Sequence, residues 1–236
     1  MSTGRPATRP FNAASARAIA RAFLPTWALG NRYDYYYTLS KLRTDPLYPG
    51  VLAAFRGSSA PVLDLGCGLG LLAHSLRHDA QRLGYHGVDI DAAKIERATR
   101  IAARSGLEGA RFDVLDLADG SPAHQGSVAI LDVLQYLDEA AQSALLDASI
   151  AMLTPGARLV MRAALDDGSE RHPRTRIPGR VAHPIGWMQA RPKHYPNADA
   201  LQSRLRNAGL TVTMSPLYGN TPFNHWLIVA HRGDIG

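Results

Sequence analysis

Apolar positions in the middle of the chain recur with two alternating periods, one typical of strands and one typical of helices. Val62–Leu65 is a short apolar run that ends in glycines, which predicts a buried strand, and Leu71–Arg82 has a helical pattern. The same alternation continues downstream. Further strands are predicted over 85–90, 110–114, 127–133 and 157–164, and further helices over 92–105 and 138–153.

Alternation of strands and helices predicts an α/β fold with a doubly wound, mostly parallel sheet. After a helix at 198–207, the pattern predicts two last strands, Leu210–Leu217 and Asn224–His231. Because the connection 218–223 is short, these two strands are expected to be antiparallel neighbours. The sequence therefore predicts seven strands with an antiparallel C-terminal pair.

Two segments depart from this rhythm. Residues 1–56 have helical patterns at 12–24 and 50–56 with aromatic side chains between them, which predicts an N-terminal helical lid. Residues 57–236 would form the main domain. Within it, the stretch 166–196 combines prolines, histidines and arginines without a regular period, so we interpret it as a substrate-side insert.

Charge is distributed unevenly along the chain, whose formal net charge is +6. Residues 1–43 hold seven basic residues against one acidic, and residues 158–196 hold eight against three. Residues 44–157 hold eight basic residues against fourteen acidic ones. The basic flanks are either solvated surface or contacts for an anion, such as a carboxylate, a phosphate, nucleic acid or an acidic carrier protein.

Cysteine use and hydropathy bear on the compartment. Cys67 is the only cysteine, so an intrachain disulfide is excluded and a reducing, cytoplasmic location is expected. No apolar run is long enough to cross a bilayer, and the N-terminal residues lack the apolar core of a secretory signal. The sequence therefore predicts a soluble protein without a membrane span.

A glycine-rich turn carries the clearest chemical signal. Gly66, Gly68 and Gly70 follow the first predicted strand, where glycine permits positive φ and close approach of a ligand to the backbone. The dinucleotide fingerprint would need another glycine or alanine where the chain has Leu71. Asp64, two residues before the first glycine, suits a ligand with an ammonium group better than one with a pyrophosphate.

Two further acids follow predicted strands. Asp89 ends the second strand, at a distance from the glycines where a carboxylate binds both hydroxyls of a ribose. Asp113 lies at the end of the third strand and could accept a hydrogen bond from an adenine amino group. Asp116 is the alternative for that role, and the sequence pattern favours Asp113.

On these residues the chain resembles the class I methyltransferases that use S-adenosylmethionine (SAM), over residues 60–165 and the C-terminal strand pair. The resemblance implies a Rossmann-like fold, SAM as cofactor and methyl transfer as the activity. Asp64 and the glycines would hold the methionine end of SAM, and Asp132 would lie near the sulfonium. The cofactor-binding residues implied by position are Lys41, Asp64, Gly66, Gly68, Gly70, Asp89, Ile90, Asp113, Val114, Asp132 and Val133.

A base near the methyl group would help an acceptor to lose its proton. His183 and His194 are the first candidates because they lie in the insert, with Tyr36 or Tyr37 as hydrogen-bonding partner. His172 and His225 are further candidates. The sequence has no carboxylate–histidine cluster with metal-ligand spacing, so no metal is predicted.

Three classes of function remain open at this level. The first is methylation of a small aromatic or hydroxylated molecule, free or bound to an acidic acyl carrier protein; residues 41–46 and 219–223 resemble bacterial methyltransferases encoded beside aryl-polyene pigment genes. The second is an RNA methyltransferase, to which the basic flanks also point. The third is a non-catalytic SAM-binding protein.

Overall fold

A computed structural model describes residues 8–168, 192–219 and 224–233. Its core is one seven-stranded sheet, in the order β3-β2-β1-β4-β5-β7-β6. The strands are β1 Val62–Leu65, β2 Tyr85–Asp89, β3 Ala110–Val114, β4 Ser127–Leu131, β5 Leu159–Ala164, β6 Leu210–Pro216 and β7 His225–Arg232. The helices are α1 Ala13–Ala20, α2 Tyr33–Thr44, α3 Leu47–Phe55, α4 Leu71–His78, α5 Ala92–Arg104, α6 Glu139–Ala151 and α7 Ala198–Asn207.

Strands β1 to β5 are parallel, and β7 is antiparallel to both of its neighbours, β5 and β6. The predicted α/β fold with an antiparallel C-terminal pair is therefore confirmed. The parallel strands all end at the same edge of the sheet, and β7 begins there because His225 pairs with Ala164. Ligands of doubly wound folds bind at this carboxyl edge.

Helices cover both faces of the sheet and divide the core into two layers. One layer packs α1 to α5 against Val62 and Val160, and the other packs α6 and α7 against Leu63 and Leu159. Successive strand residues alternate between these layers. The alternation places Asp64, Arg162 and His225 on the same face, the one covered by α1 to α5.

The N-terminal segment contains more helix than its pattern predicts. Helix α2 covers the aromatic stretch, and α3 begins at Leu47 rather than at Gly50. Pro49 fits inside the first turn of α3, where a backbone N–H is not needed. Because α1 and α3 share one hydrophobic core with the sheet, these helices are packed onto the main domain. Their role as a lid remains a prediction.

Strand β4 ends two positions earlier than its apolar pattern indicates. Asp132 follows it with φ +61°, a left-handed conformation that is uncommon for residues other than glycine and ends the strand. Most of the insert, residues 169–191, lies outside the described residues. No helix among the described residues is long and apolar enough to cross a membrane.

Candidate active site

The glycine turn joins β1 to α4 at the carboxyl edge, and all three of its glycines have positive φ. A side chain at Gly66 would overlap Val133, and one at Gly70 would overlap the ring of Phe112. At Gly68, an added Cβ would meet nothing within 4 Å. The first and third glycines are therefore needed for packing, whereas the second leaves open space beside the backbone.

Asp64 lies under this turn with an unusual carboxyl group. Its Oδ2 accepts a hydrogen bond from the Tyr85 hydroxyl, and its Oδ1 is buried without a hydrogen-bond partner. Burial raises the pKa of Asp64 to about 7, while the Tyr85 bond opposes this shift and the charge of Asp89 adds to it. Burial disfavours the charged form of this carboxyl group unless a positive charge lies next to it. The buried, unpartnered Oδ1 therefore fits a ligand with an ammonium group.

Asp89 is fixed at the end of β2 by two backbone N–H groups. Gly68 donates to its Oδ2 and Asp91 to its Oδ1, each at 2.9 Å. The next residue, Ile90, is 65% exposed, and Val114 at the end of β3 is 54% exposed. Two exposed apolar side chains beside an oriented carboxylate match a nucleoside, with its flat base and its ribose hydroxyls.

The two candidate acids after β3 have different surroundings. Asp113 accepts a hydrogen bond of 2.8 Å from His86 Nε2, because Arg111 donates to His86 Nδ1 at 2.9 Å and so fixes the tautomer. Asp116 lies beyond the strand end, and its Oδ1 accepts from the backbone of Ala118. Asp113 is thus engaged within the protein, and Asp116 caps the loop at the carboxyl edge.

Beside the glycine turn lies a group of ionisable side chains that we call the ionic cluster: Lys41, Asp45, Asp132, Arg162 and His225. Its centre is Arg162, which is only 2% exposed. The guanidinium donates to both carboxylates, with Nε 2.7 Å from Asp132 Oδ1 and Nη2 2.9 Å from Asp45 Oδ2. Lys41 Nζ lies 3.4 Å from Asp45 and 3.8 Å from Asp132.

Charge pairing keeps these acids ionised. Burial by itself would raise the pKa of Asp132 and of Asp45, but the charge and hydrogen bonds of Arg162, together with the charge of Lys41, hold both pKa values below their ordinary range. Burial likewise favours the neutral form of Arg162, and its two carboxylate partners raise its pKa instead. Breaking one such buried pair leaves an uncompensated charge.

His225 is the fifth member of the cluster, and Tyr37 borders it. His225 Nε2 lies 4.0 Å from Asp132 Oδ1. Burial lowers the pKa of His225 to about 4, against the opposing charge of Asp132, so the imidazole is neutral near pH 7. Burial raises the pKa of Tyr37, and the charges of Asp132 and Asp45 add to this shift. Among the described residues, no group of three His, Cys, Asp or Glu side chains has the arrangement of a metal site.

Comparison with known families explains the turn and the acids along one edge. Residues 63–159 match the family model described as a methyltransferase domain. This part of the chain is a methyltransferase domain. The resemblance inferred from the glycines and acids, to methyltransferases that use SAM, is thereby confirmed at the level of the family.

Curated proteins similar to this methyltransferase domain include ubiquinone biosynthesis O-methyltransferases of Xylella fastidiosa. The one from strain 9a5c is 36% identical over 108 residues, which cover 43% of this chain and 41% of that protein. The chain thus aligns with less than half the length of the curated relatives it matches. Their activities apply to this chain only as proposals.

Solved structures share the fold. An O-methyltransferase family protein from Burkholderia thailandensis has a TM-score of 0.63 at 19% identity, covering 86% of this chain and 59% of that one. Magnesium protoporphyrin IX methyltransferase from Synechocystis PCC 6803, with bound S-adenosylhomocysteine (SAH), also has a TM-score of 0.63, at 16% identity, covering 90% and 92%. At such identities the likeness establishes the fold.

The residues predicted as catalytic do not lie together in the structure. Tyr36 is 59% exposed and contacts Tyr35 edge to face, with ring centroids 5.1 Å apart. Its neighbour Tyr37 is the tyrosine that borders the ionic cluster, where the charges of Asp132 and Asp45 act on it. His194 is exposed, although its segment reaches the carboxyl edge through the bond from Lys193 N to Gln135 O at 2.7 Å. His183 and His172 lie outside the described residues. Their roles stay predictions.

Sequence reasoning missed the ionic cluster as a unit. Its members come from α2, the loop after β4, β5 and β7, so no local spacing connects them. One signal was available: Arg162 interrupts the otherwise apolar strand β5, Leu159–Ala164. A charged residue in a buried strand requires a partner of opposite charge, and that rule would have directed attention to Asp132.

Proposed function

We propose that this chain transfers a methyl group from SAM to an oxygen atom of a small hydroxylated aromatic molecule. The observation that carries the donor half is the open space at Gly68 between the unpartnered Oδ1 of Asp64 and the fixed carboxylate of Asp89. These features fit the amino acid and ribose parts of one ligand. SAM, when bound, supplies a methyl group on a positively charged sulfur.

Specific residues would hold the cofactor. Asp64 would accept hydrogen bonds from the ammonium group of the cofactor, and Asp89 from its ribose hydroxyls. The backbone of the glycine turn would lie against the part of the cofactor that joins these two groups. Ile90 and Val114 would pack against adenine. Lys41 would face the carboxylate of the methionine part, since its Nζ lies at the same edge as Asp132.

For the adenine amino group we propose Asp116 in place of Asp113. The Asp113 carboxylate is already held by His86, whereas Asp116 stands beyond the end of β3, close in sequence to Val114. A backbone amide after the strand would complete the pattern of one donor and one acceptor that adenine presents. Both residues are testable by substitution.

The acceptor side supports an aromatic substrate. Trp27, Tyr33 and Tyr36 are exposed on or next to α2, the helix that brings Tyr37 and Lys41 to the ionic cluster. Aromatic side chains at a surface suit a flat ligand with polar substituents. Asp132 and Val133 would lie beside the transferred methyl, because Val133 packs directly against Gly66. The protein would act chiefly by aligning acceptor oxygen and methyl.

Attachment of the acceptor to an acyl carrier protein is a finer form of the same proposal. It is supported by the excess of basic residues in 1–43, seven against one acidic residue, because a carrier protein presents acidic surface. A carrier-bound acceptor would then react faster than the free acid, and added salt would remove that advantage.

Calorimetric titration with SAH, with NAD as control, tests the donor half. Micromolar binding of the first and none of the second is expected; absence of SAH binding would contradict the proposal. Mass spectrometry after incubation with SAM then tests hydroxyaryl acids, free and carrier-bound, for addition of one methyl group. Transfer to RNA alone would indicate the RNA methyltransferase, and SAH binding without any transfer would indicate a binding protein.

A further inference from the structure

His225 lies at the carboxyl edge of the sheet although it comes from near the end of the sequence. It opens β7 and pairs in register with Ala164, the last residue of β5. By strand alternation its side chain lies on the same face as Arg162 and Asp64. A residue that follows the whole insert is thus brought to the edge where the glycine turn ends.

A short series of contacts connects His225 to the cofactor side. Gly66 packs directly against Val133, and the preceding residue, Asp132, holds Arg162 through two hydrogen bonds. His225 Nε2 stands 4.0 Å from Asp132 Oδ1. The side chains of His225 and Asp132 keep 14% and 25% of their surface exposed.

Asp132 is held in a costly conformation at this point. Its φ of +61° is uncommon for a residue with a side chain, and such strain is typical of functional sites. The conformation is stabilised by the Asp132 N–H bond to Arg162 O and by Gln135 Nε2, which donates to Asp132 O at 2.9 Å. These bonds fix the backbone of Asp132, and the Arg162 guanidinium orients its carboxylate.

We propose that the imidazole of His225 is the general base that takes the proton of the acceptor hydroxyl, with Asp132 as its positioning residue. This inference rests on the proposed O-methyl transfer. The separation of 4.0 Å is longer than a hydrogen bond, so Asp132 acts on the ring through its charge. A negative charge at that distance stabilises the imidazolium ion once the proton has arrived.

The reaction step balances without another reactant. The hydroxyl proton of the acceptor passes to a ring nitrogen of His225 while the acceptor oxygen forms a bond to the methyl carbon. The carbon–sulfur bond breaks, and its electron pair stays on sulfur, which becomes neutral. The products are a methyl ether, a thioether and the imidazolium of His225, which then gives its proton to water.

The charged groups around His225 come from three parts of the fold. Asp132 follows β4, Arg162 is on β5, and Asp45 and Lys41 come from the end of α2; Tyr37 of α2 borders the same cluster. Burial lowers the pKa of His225 to about 4, so the ring is neutral and able to accept a proton throughout the neutral range. With SAM saturating, wild-type kcat is therefore expected not to change between about pH 6 and pH 9.

The test replaces His225 with glutamine and measures kcat against pH, using an acceptor that the wild-type enzyme methylates. We expect His225→Gln to lower kcat by about a hundredfold or more near pH 7. The remaining rate should rise about tenfold per pH unit, because only acceptor already ionised by the solvent reacts. Nitro-substituted phenols, which ionise at lower pH, should recover most of the loss.

A control on the same strand isolates the base from a packing effect. His231 lies toward the other end of β7, where it pairs in register with Thr211. His231→Gln should leave kcat and its pH profile unchanged. Unchanged SAH affinity in His225→Gln, by calorimetry, will show that the variant folds; His225→Asn is the second variant should glutamine prevent folding.

A measurement independent of turnover follows the imidazoles by nuclear magnetic resonance. Adding an acceptor to the complex with SAH should shift the His225 ring signals and leave those of His231 in place. An equal loss of kcat at every pH and with every phenol, or no shift at His225, would overturn the assignment. SAH binding without wild-type turnover on any hydroxyl acceptor would instead reject the proposed function, and this inference with it.

Discussion

The glycine turn and the ionic cluster lie side by side at one edge of the sheet, yet they are built in opposite ways. The turn uses backbone: three glycines within five consecutive residues, each with positive φ. The cluster uses side chains drawn from positions 41 to 225. The contact between Gly66 and Val133 joins the two. A site formed by backbone can be recognised in a short stretch of sequence. A site formed by charged side chains from distant positions appears only in the folded chain.

The largest expected effect comes from the cluster. Arg162→Met leaves Asp45 and Asp132 without their buried partner, so the free energy of unfolding should fall by about 3–5 kcal/mol. Urea denaturation followed by circular dichroism measures it. The exposed pair of Arg56 and Asp79 supplies the control: Arg56→Met should cost about 1 kcal/mol or less.

A compensated variant sharpens this result. Neutralising both acids together with Arg162, as Asp45→Asn and Asp132→Asn, should restore part of the lost stability because no buried carboxylate is left without its cation, although Lys41 loses both of its partners. Asparagine tolerates the left-handed conformation at position 132. If Arg162→Met is no more costly than Arg56→Met, the cluster does not stabilise the fold in the way described.

The glycine turn should separate stability from binding. Gly68→Ala adds a methyl group into open space at φ +56°, so unfolding should become easier by only about 1 kcal/mol while SAH affinity falls about a hundredfold. Gly66→Ala overlaps Val133 and should cost about 2–5 kcal/mol of stability. Thermal unfolding and calorimetry measure the two effects. Normal SAH affinity in Gly68→Ala would place the ligand elsewhere.

Asp64 should make cofactor binding depend on pH. Its pKa of about 7 in the free protein means that below pH 7 the carboxyl is protonated and must release that proton to accept an ammonium group. SAH affinity should therefore rise by about tenfold per pH unit up to about pH 7 and then level off. Calorimetry in two buffers of different ionisation enthalpy detects the released proton directly.

The neighbours of Asp64 provide the controls for this pH dependence. Asp64→Asn should bind SAH weakly and without a pH slope. Tyr85→Phe removes the hydrogen bond that opposes the raised pKa of Asp64, so the pH at which affinity levels off should move upward. An unchanged slope in Asp64→Asn would assign the proton to another group.

The smallest expected effect distinguishes two acids close together in the chain. Asp116→Asn should weaken SAH binding by about tenfold, the value of one hydrogen bond to the adenine amino group. Asp113→Asn should change affinity by less than about twofold, because its carboxylate is held by His86. The reverse order would restore Asp113 as the adenine ligand and require the loop after β3 to rearrange on binding.

The sequence predicted those parts of the candidate site that depend on neighbouring positions in the chain. Gly66, Gly68 and Gly70, with Asp64 and Asp89, were identified from spacing alone because each stands at or beside the end of a predicted strand. Ile90 and Val114 were predicted only from the resemblance to methyltransferases that use SAM. The choice between Asp113 and Asp116 depended on His86, twenty-seven positions before Asp113, and so could not be made from spacing.

The proposed general base, His225, is the site residue that the sequence indicated least. His183 and His194 were favoured for lying in an irregular insert, a criterion that says nothing about distance to other groups. His225 was named only as a further candidate because it lies outside that insert. Only the antiparallel placement of β7 beside β5 brings His225 close to Asp132, which is ninety-three positions away in the chain. No hydrophobic pattern along the sequence indicates this contact between side chains.

The sequence by itself determined the order of strands and helices, the antiparallel C-terminal pair and the glycine turn with its adjacent acids. Each of these depends on local properties: apolar period, backbone freedom and the position where a strand ends. The tertiary structure alone decided the partners of Arg162, the position of His225 and the raised pKa of Asp64. Those depend on which charges share a buried space and how far water is excluded from it, and neither quantity exists until the chain has folded.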